Sequence, residues 1–508
     1  MTPMTSIRPN VAAVKPAFAA SAVFLALPLA LTLVLSLAPQ AAQAQATQAT
    51  QTEQRSTLAD QREVAVTIYN ENLALVKDQR RVQLKPGASA LAFRDVSARL
   101  RPETALLRSI SAPGSLNVLE QNFDFDLLTP QKMLEKYVGQ TVNVVRTNPA
   151  TGAETTEVAT VLSANNGVVL QIGQRIETGI PGRLVFGSVP ANLRDRPTLV
   201  MSLDNTGNAA QDVELSYLTG GLAWKADYVV ELNAADDKLD MSGWVTLTNT
   251  SGASYRNARL QLVAGDVNQA PPELVPRGRG APLAMAMQAK AGSDMAEESL
   301  FEYHLYTLSR PTTIAENQTK QVALLSANGV PARKELLLKG NDYYYQGQAG
   351  DLGQKLKVGV FVEFDNKESA RLGMPLPKGV IRVYKKDAAG NAQFIGEDRV
   401  DHTPKGEKVR LKLGDAFDVT VDKKQTDFKK LSGTGKYNAV YESAYEIVLK
   451  NAKKEAVVVT VQEPMPGDWQ MLSASQPHTK GAANTAVWSV AVPSEGKTVL
   501  SYRVQVRF

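Results

Sequence analysis

Short segments in which apolar and polar residues alternate, separated by turn-forming residues, recur along most of this 508-residue chain. Residues 64–69 read Val-Ala-Val-Thr-Ile-Tyr, and the polar residues 70–72 separate them from an apolar run that begins at Leu73. Because successive side chains of a strand point to opposite faces, this pattern is typical of half-buried strands joined by tight turns. It predicts a mainly β, multi-domain protein with immunoglobulin-like β-sandwich domains and few short helices.

One short helix is predicted within this β-rich pattern. Thr129 is a suitable N-cap, Pro130 fits the first helical position, and Gly139 is a stop signal. Residues 138–190 then contain several short strand patterns with a tight hairpin turn at Asn166-Gly167. We therefore expect a small inserted β-barrel-like segment after the helix.

The N-terminus has the features of a secretory signal peptide. Arg8 and Lys15 accompany an apolar stretch at 17–38, and Ala42-Gln43-Ala44 supplies the small residues of a cleavage site. The sequence predicts that residues 1–44 are removed on export, which favours a periplasmic or extracellular protein. The alternative is an uncleaved anchor helix, because the apolar stretch is long enough to span a bilayer.

Composition argues against several classes of function. The chain has no cysteine, which excludes disulfides, thiolate zinc sites and a cysteine nucleophile. Its three histidines, His304, His402 and His478, are scattered, so we expect no tightly bound zinc, copper or iron and no cofactor. The formal net charge is only +5 at pH 7, and no Lys/Arg-rich block is present, so nucleic-acid binding is not expected.

Shifts in composition divide the rest of the chain. The predicted parts are a flexible lead at 45–62, an N-terminal β domain with the helix and the insert at 63–190, a central β domain at 191–420 and a C-terminal β-sandwich at 421–508. Residues 266–299 are rich in Pro, Gly, Ala and Met and are predicted to form a disordered loop. The stretch 422–436 carries five lysines and is predicted to be a solvated connector.

Four strand patterns end at an asparagine. These are Asn205, Asn249, Asn366 and Asn451. An asparagine side chain can bond its own backbone two residues further on, so it terminates a strand well. The recurrence predicts shared sandwich architecture rather than a regular repeat, because the spacings differ.

Several motifs after residue 195 occur together. They are Tyr-Leu-Thr-Gly-Gly-Leu-Ala-Trp-Lys-Ala-Asp-Tyr at 217–228, Gly-Trp-Val-Thr-Leu at 243–247, Leu-Val-Ala-Gly-Asp-Val at 262–267, Gly-Met-Pro-Leu-Pro-Lys-Gly-Val-Ile-Arg-Val-Tyr at 373–384 and Phe-Ile-Gly-Glu-Asp at 394–398. In this order they resemble a bacterial domain-of-unknown-function family that also forms the C-terminal half of mucoidy-inhibitor-A-like proteins. That type has a coiled coil between its halves, whereas residues 130–190 here offer one helix and short strands. The resemblance implies an architecture, but the family has no established catalytic residues, so it leaves the activity open.

Trp224 and Tyr228 share one face of a predicted strand whose other face carries Lys225 and Asp227. A sandwich buries the face that has aromatic rings and no charge, so both rings are predicted to lie in the core. The alternative is an aromatic ligand platform of the kind that sugar-binding proteins use.

No catalytic, cofactor-binding or metal-binding residue is predicted. The Gly-Lys-Thr at 496–498 precedes a strand pattern and not a helix, so it does not form a phosphate loop. Ser494 and Lys497 match a serine–lysine motif, but their surroundings favour a hairpin turn.

Two acidic motifs leave alternatives open. Asp124 and Asp126 share a strand face and are predicted to be solvated, with glycoside hydrolysis or calcium binding as the alternative. Asp401 and His402 are adjacent, so their side chains would oppose each other in a strand, and a catalytic triad would require partners from elsewhere.

These observations favour an exported, non-enzymatic binding or structural component of the bacterial cell envelope. Its expected partners are envelope proteins or polysaccharide. One alternative is a periplasmic hydrolase acting on polysaccharide, with carboxylates that converge from distant segments. Another is an assembly or adhesion module that adds a strand to a partner.

Overall fold

The computed structural model describes residues 53–70, 72–190, 192–269, 295–433 and 435–508. The predicted signal peptide and the predicted lead before Glu53 lie outside these residues. So do residues 270–294, which make up most of the predicted loop.

The first part of the described chain contains eleven strands. They are β1 (Glu53–Ser56), β2 (Gln61–Tyr69), β3 (Leu73–Gln83), β4 (Gly87–Arg94), β5 (Leu106–Ser109), β6 (Leu116–Asp124), β7 (Thr141–Thr147), β8 (Glu154–Ser163), β9 (Val169–Ile172), β10 (Arg175–Thr178) and β11 (Arg183–Val185). One α-helix, α1 (Pro130–Lys136), lies between β6 and β7.

Nineteen further strands follow. They are β12 (Thr198–Asn205), β13 (Ala210–Thr219), β14 (Leu222–Leu232), β15 (Lys238–Asn249), β16 (Tyr255–Ala264), β17 (Met295–Leu300), β18 (Tyr303–Leu308), β19 (Thr312–Ile314), β20 (Gln318–Lys339), β21 (Asp351–Asp365), β22 (Gly379–Lys386), β23 (Ala392–Val400), β24 (Lys408–Leu431), β25 (Val440–Asn451), β26 (Val457–Pro464), β27 (Asp468–Ala474), β28 (Thr479–Lys480), β29 (Thr485–Val492) and β30 (Gly496–Arg507). Single 3₁₀ turns occur at Leu58–Asp60, Pro102–Thr104, Tyr343–Tyr345 and Glu368–Ala370. The mainly β prediction is confirmed.

These strands form four sheets. Their orders are β1-β4-β12-β6, then β10-β9-β8-β7-β11, then β17-β18-β16-β2-β3-β13-β5 with β19 beside β16, and a thirteen-stranded sheet whose main path is β23-β22-β14-β15-β20-β21-β24-β25-β30-β27. The strands β4 and β12 pair across the boundary predicted at residue 190, and β24 runs through the boundary predicted at 420. The sheets therefore cross both predicted domain boundaries.

Three hydrophobic cores lie in these sheets. The main core contains buried side chains between Val64 and Leu411, and the C-terminal core contains those between Leu336 and Val506. A smaller insert core has nine buried residues between Met133 and Leu193.

The predicted helix is confirmed as α1. The Thr129 hydroxyl accepts a hydrogen bond from the backbone N–H of Lys132 at 3.1 Å, and Pro130 occupies the first turn. The side chains of Met133 and Tyr137 then pack into the insert core. The helix thus closes one side of the insert that follows it.

The insert is an open, curved sheet, so the prediction of a barrel-like segment is wrong. Within the described residues, β10 and β11 are the two edge strands, and each pairs with one neighbour only. They have four and three residues, too few to complete a ladder around the sheet. The curvature is nevertheless strong, because Arg146 of β7 reaches Glu177 of β10 at 2.8 Å across two intervening strands.

Three other expectations need correction. Residues 53–62, predicted as part of a flexible lead, include β1, which pairs in parallel with β4, and a 3₁₀ turn capped by Thr57. Residues 295–299, predicted as disordered loop, lie in β17. In both segments backbone hydrogen bonds hold the strand, and these leave little trace in apolar periodicity.

The third correction concerns residues 422–436, which were expected to form a solvated connector. Most of them continue β24, which runs to Leu431. Val419, Val421 and Lys423 alternate inward along this strand, and Lys423 is buried. The five lysines of this stretch indicated a solvated segment, because lysine is usually exposed. One of them, Lys423, nevertheless occupies an inward position of the strand.

The asparagine pattern is confirmed at three of the four positions, whereas β21 ends at Asp365, one residue before Asn366. All four side chains are buried, and Asn205, Asn249 and Asn451 each accept the backbone N–H two residues further on at 2.9–3.0 Å. Asn366 instead accepts from Gly373 at 3.0 Å. Their amide groups also donate to backbone carbonyls, so each asparagine joins a strand end to a neighbouring loop.

Candidate functional site

The aromatic pair predicted to be core is buried. Trp224 is 4% exposed and Tyr228 is 0% exposed. The Trp224 indole N–H donates to the carbonyl of Val263 at 3.3 Å, and the Tyr228 hydroxyl donates to Pro377 at 2.8 Å. The core prediction is therefore confirmed, and these rings are not a ligand platform.

The two acidic residues of β6 and its extension lie in separate ion pairs. Asp124 accepts from the Arg194 guanidinium at 2.8 Å. Asp126 lies 3.0 Å from Lys136 and 3.6 Å from Lys132, and the Lys136 hydrogen bond lowers the pKa of this carboxyl. Their charges are compensated within the chain, which does not suggest a catalytic carboxylate pair.

The serine–lysine and Gly-Lys-Thr motifs lie at a hairpin. Ser494 is in the turn between β29 and β30, and Gly496, Lys497 and Thr498 begin β30. The Thr498 hydroxyl donates to the carbonyl of Ala491 at 2.7 Å. Both motifs are thus part of a strand pair, as their surroundings in the sequence indicated.

Chain segments that are distant in sequence meet at one edge of the fold. The strands β2 and β16 run parallel, so residues 70 and 265–269 leave the sheet at the same end. The residue before β22 and those after β23 lie beside them. Together they border a cavity of about 130 Å³, here called the loop pocket, whose polar lining is Tyr69, Asn70, Asp266, Gln269 and Lys378.

His402 lies behind the loop pocket. Its Nδ1 accepts the backbone N–H of Lys378 at 3.3 Å, and its Nε2 lies 3.3 Å from the Asn70 amide. Burial lowers the pKa of His402, and the charge of Lys378 lowers it further, so the ring is neutral near pH 7. The partners that the Asp401-His402 pair lacked in sequence are thus Asn70 and Lys378, neither of which is a nucleophilic hydroxyl.

The remaining polar groups of the loop pocket are also defined at neutral pH. Lys378 lies 2.9 Å from Asp266 and lowers the pKa of that carboxyl. Burial raises the pKa of Tyr69, which keeps its phenol protonated. Gln269 accepts from the Arg101 guanidinium at 3.2 Å. The pocket therefore presents an ion pair, a phenol and amide groups to solvent.

Two aromatic residues of the hairpin formed by β17 and β18 lie near Gly265, which is part of the pocket lining. A Cβ atom at Gly265 would lie 2.5 Å from Cδ1 of Tyr303, so the Tyr303 ring packs directly on Gly265. The ring centroid of Phe301 lies 6.5 Å from that of Tyr303. Phe301 is 84% exposed and has φ 58°, in the left-handed region. We call Phe301 and Tyr303 the aromatic rim.

A second cluster of titratable groups lies in the C-terminal core. The Lys423 ammonium donates to both Glu463 oxygens at 2.6 Å and to the Tyr344 hydroxyl at 2.5 Å. The Tyr345 hydroxyl donates to Glu463 at 3.0 Å. Burial lowers the pKa of Lys423, while Glu463 opposes this shift. All three ammonium protons have partners, so the cluster is suited to fixing the core and not to receiving a ligand.

The comparison with known families identifies the larger part of the chain. The family described as "Domain of unknown function (DUF4139)" matches residues 213–508. The chain belongs to this family. No curated protein matches it.

The DUF4139 region supplies one side of the loop pocket. Asp266, Lys378, His402 and the aromatic rim lie within the matched residues, whereas Tyr69 and Asn70 precede them. The pocket is therefore formed between the DUF4139 region and the strands before it. The Lys423 cluster lies entirely within the DUF4139 region.

Sequence reasoning missed the aromatic rim and the partners of His402. Phe301 and Tyr303 follow the predicted loop directly, and no alternation marks them as a site.

Across the described ranges, no three His, Asp or Glu side chains are grouped as metal ligands. In the same residues, no helix is both long and apolar enough to cross a bilayer.

Proposed function

We propose that this chain is an exported, non-enzymatic binding component of the bacterial cell envelope, and that it binds envelope polysaccharide at the loop pocket and the aromatic rim. The observation that carries the proposal is Phe301, an aromatic side chain that is 84% exposed with φ 58°. The left-handed conformation costs a non-glycine residue about 1–2 kcal/mol. Phe301 is the first residue of the two-residue hairpin turn between β17 and β18, and such turns use positive φ at this position. The turn holds the ring out in solvent beside Tyr303, and a large exposed aromatic ring of this kind supports a binding role.

The chemistry of the loop pocket suits a saccharide. An aromatic face packs against the C–H groups of a sugar ring, while the hydroxyl groups require hydrogen-bond donors and acceptors. The aromatic rim offers the first, and Tyr69, Asn70 and Lys378 offer the second. The two kinds of group are adjacent because Gly265 leaves room for the Tyr303 ring.

The same geometry favours binding over hydrolysis. Glycoside hydrolysis commonly requires one protonated carboxyl group and a second carboxylate on the other side of the bond. Among the described residues that line the loop pocket, Asp266 is the one carboxylate, and Lys378 lowers its pKa. An ionised Asp266 cannot act as a general acid near neutral pH.

The envelope location rests on the N-terminal sequence and on the resemblance to mucoidy-inhibitor-A-like proteins of bacteria. A chain cleaved after Ala44 would begin at Gln45. Intact mass of the protein from its native host, together with cell fractionation, tests this. A mass that includes residues 1–44 would contradict cleavage, and recovery from the cytoplasm would contradict export.

The binding proposal is tested with Phe301→Asn. Asparagine tolerates the left-handed conformation and removes the ring, so the fold should be retained. The matched control is Phe417→Asn in β24, where a phenylalanine is 94% exposed. We expect the wild type and F417N to co-sediment with purified envelope polysaccharide, and F301N to lose this binding. Equal binding by all three proteins would contradict the proposal.

A further inference from the structure

A second cavity lies at the far end of β22. Its volume is about 200 Å³, and its mouth carries the side chains of Lys334 and Lys385. The apolar part of its lining consists mainly of Leu232, Val360, Val362 and Leu413. We call this cavity the two-lysine cleft. It combines an apolar floor with two cations, which neither the loop pocket nor the Lys423 cluster does.

One carboxylate positions both ammonium groups. Asp236, in the turn after β14, accepts a hydrogen bond from Lys334 at 2.9 Å and a shorter one from Lys385. Burial raises the pKa of Asp236, but the hydrogen bonds from Lys385 and Lys334 outweigh this and lower it. The group of three therefore carries a net charge of +1.

The two lysines retain hydrogen-bonding capacity. An ammonium group has three N–H donors. Within the described chain each of the two makes one hydrogen bond, to Asp236. Asp415 also borders the cleft, but Lys412 at 3.5 Å and Lys357 at 3.8 Å balance its charge. The mouth therefore has donors and positive charge available for an anion.

We propose that the two-lysine cleft binds a small carboxylate that carries one compact apolar group. The carboxylate bridges Lys334 and Lys385, and the apolar group lies on Val360 and Val362. An apolar cavity of about 150 Å³ accommodates benzene, so the cleft suits a single ring or a branched chain of similar size. Hydrogen bonds from a cation to a carboxylate are about twice as strong as neutral ones, which gives the acid its advantage over a neutral ligand.

This site is separate from the loop pocket. Lys378 precedes β22 and Lys385 lies near its end, seven residues further on, which corresponds to roughly 23 Å along a strand. The proposal therefore does not depend on saccharide binding at the aromatic rim. The two can fail independently.

The first experiment is calorimetric titration of the purified protein with phenylacetate. Benzyl alcohol supplies the ring without the charge, and acetate supplies the charge without the ring. We expect saturable binding of phenylacetate, with both comparison compounds weaker by at least about tenfold. Equal affinity for phenylacetate and benzyl alcohol would overturn the proposal. So would the absence of saturable binding by both phenylacetate and cyclohexanecarboxylate.

The second experiment assigns the site. The double variant Lys334→Met/Lys385→Met keeps unbranched side chains that are one atom shorter and removes both charges. The matched control is Lys386→Met, the neighbour in β22, whose ammonium lies 2.6 Å from Glu231. We expect K386M to bind phenylacetate as the wild type does and the double variant to lose at least about tenfold in affinity. An unchanged affinity in a folded double variant would overturn the site.

The third variant keeps the charges and fills the cleft. Ile395 lies at its edge in β23 and is 38% exposed, so Ile395→Trp adds volume without requiring the core to repack. We expect I395W to lose phenylacetate binding while its melting temperature stays at the wild-type value. Undiminished binding by I395W would contradict an apolar group seated in the cleft.

Discussion

Lys423 and Glu463 are the residues in this fold for which burial and charge conflict most directly. Their side chains are 3% and 0% exposed, and the tyrosine hydroxyls around them complete their hydrogen bonds. A buried pair of this kind contributes little net stability compared with apolar residues, but either partner alone is costly. The pair links β24 to β26 inside the C-terminal core.

This argument predicts an asymmetric result from mutation. Lys423→Met leaves Glu463 buried without its cation and should lower the free energy of unfolding by about 3–5 kcal/mol. The double variant Lys423→Met/Glu463→Leu should recover much of that loss. Urea unfolding of the three proteins measures both effects. A double variant less stable than K423M would contradict this prediction, because Glu463 would then stabilise the core without Lys423, through the Tyr344 and Tyr345 hydroxyls.

His402 predicts a dependence of stability on pH. Its pKa is lowered in the folded protein from an ordinary value of 6.5. Below about pH 6.5 the unfolded chain takes up a proton before the folded chain does, so the free energy of unfolding falls as the pH falls, until the folded pKa is reached. His402→Gln should lose the part of the dependence of unfolding free energy on pH that His402 causes. Urea unfolding between about pH 5 and pH 8 measures this dependence.

The control for this measurement is His478→Gln. His478 lies between the rings of Trp469 and Trp488, away from the loop pocket, so its variant tests the loss of a histidine as such. If H402Q keeps the slope and H478Q loses it, the pH dependence of stability comes from His478, which would contradict the prediction. Only the slope is diagnostic, because H402Q also loses hydrogen bonds at every pH.

Sequence predicts single residues well when one strand decides their environment. Alternation alone identifies Trp224 as buried, and residue type identifies the three asparagines that end β12, β15 and β25. Lys423 was missed because its inward position is visible only once Glu463, 40 residues later, is known to face it. In the same way, His402 and Asn70 are neighbours although 332 positions separate them in the sequence, because strand pairing brings their segments together.

At the scale of elements, the sequence predicts the helix and most strands of the insert, but strand pairing shows an open sheet where a barrel was predicted. The helix, the hairpin turn and most strands were readable, because each is set by local residues. Closure of the sheet was not, because it depends on the lengths of β10 and β11. The insert is joined to the rest of the chain at a neck formed by two backbone hydrogen bonds. The backbone N–H of Leu128 donates to the carbonyl of Arg194 at 2.8 Å, and the backbone N–H of Arg194 donates to the carbonyl of Asp126 at 3.1 Å.

The neck and the separate core predict that the insert can be removed. Replacing residues 129–193 by a short Gly-Ser linker should leave the remaining protein folded, because β6 and β12 stay paired and the insert core shares no member with the main core. All four tryptophans lie outside the insert. We expect one tryptophan-fluorescence transition in urea, with the free energy of unfolding changed by no more than about 1 kcal/mol. Loss of the transition would contradict an independent insert.

At the scale of the whole molecule, the main and C-terminal cores are joined by shared strands. In β20, Leu324 and Val330 lie in the main core, whereas Leu336 and Leu338 lie in the C-terminal core. The strands β21 and β24 are divided in the same way. A boundary at residue 420 was a reasonable prediction from composition, but it falls inside a strand that serves both cores.

Shared strands predict that damage in one core is felt in the other. Leu449→Ala in β25 removes a fully buried side chain of the C-terminal core and should cost about 2–5 kcal/mol. If the two cores unfold together, the slowest-exchanging amides of β14 and β15, which lie in the main core, should exchange at least about thirtyfold faster. Hydrogen–deuterium exchange with peptide resolution measures this.

The matched variant is Leu170→Ala, an equally buried leucine of the insert core. It should accelerate exchange in β7 to β9 and leave β14 and β15 at the wild-type rate, because the insert is joined to the rest by its neck and not by shared strands. Acceleration of β14 and β15 by both variants would mean that all three cores form one cooperative unit. Acceleration by neither would mean that β20, β21 and β24 can lose one half while the other half remains folded.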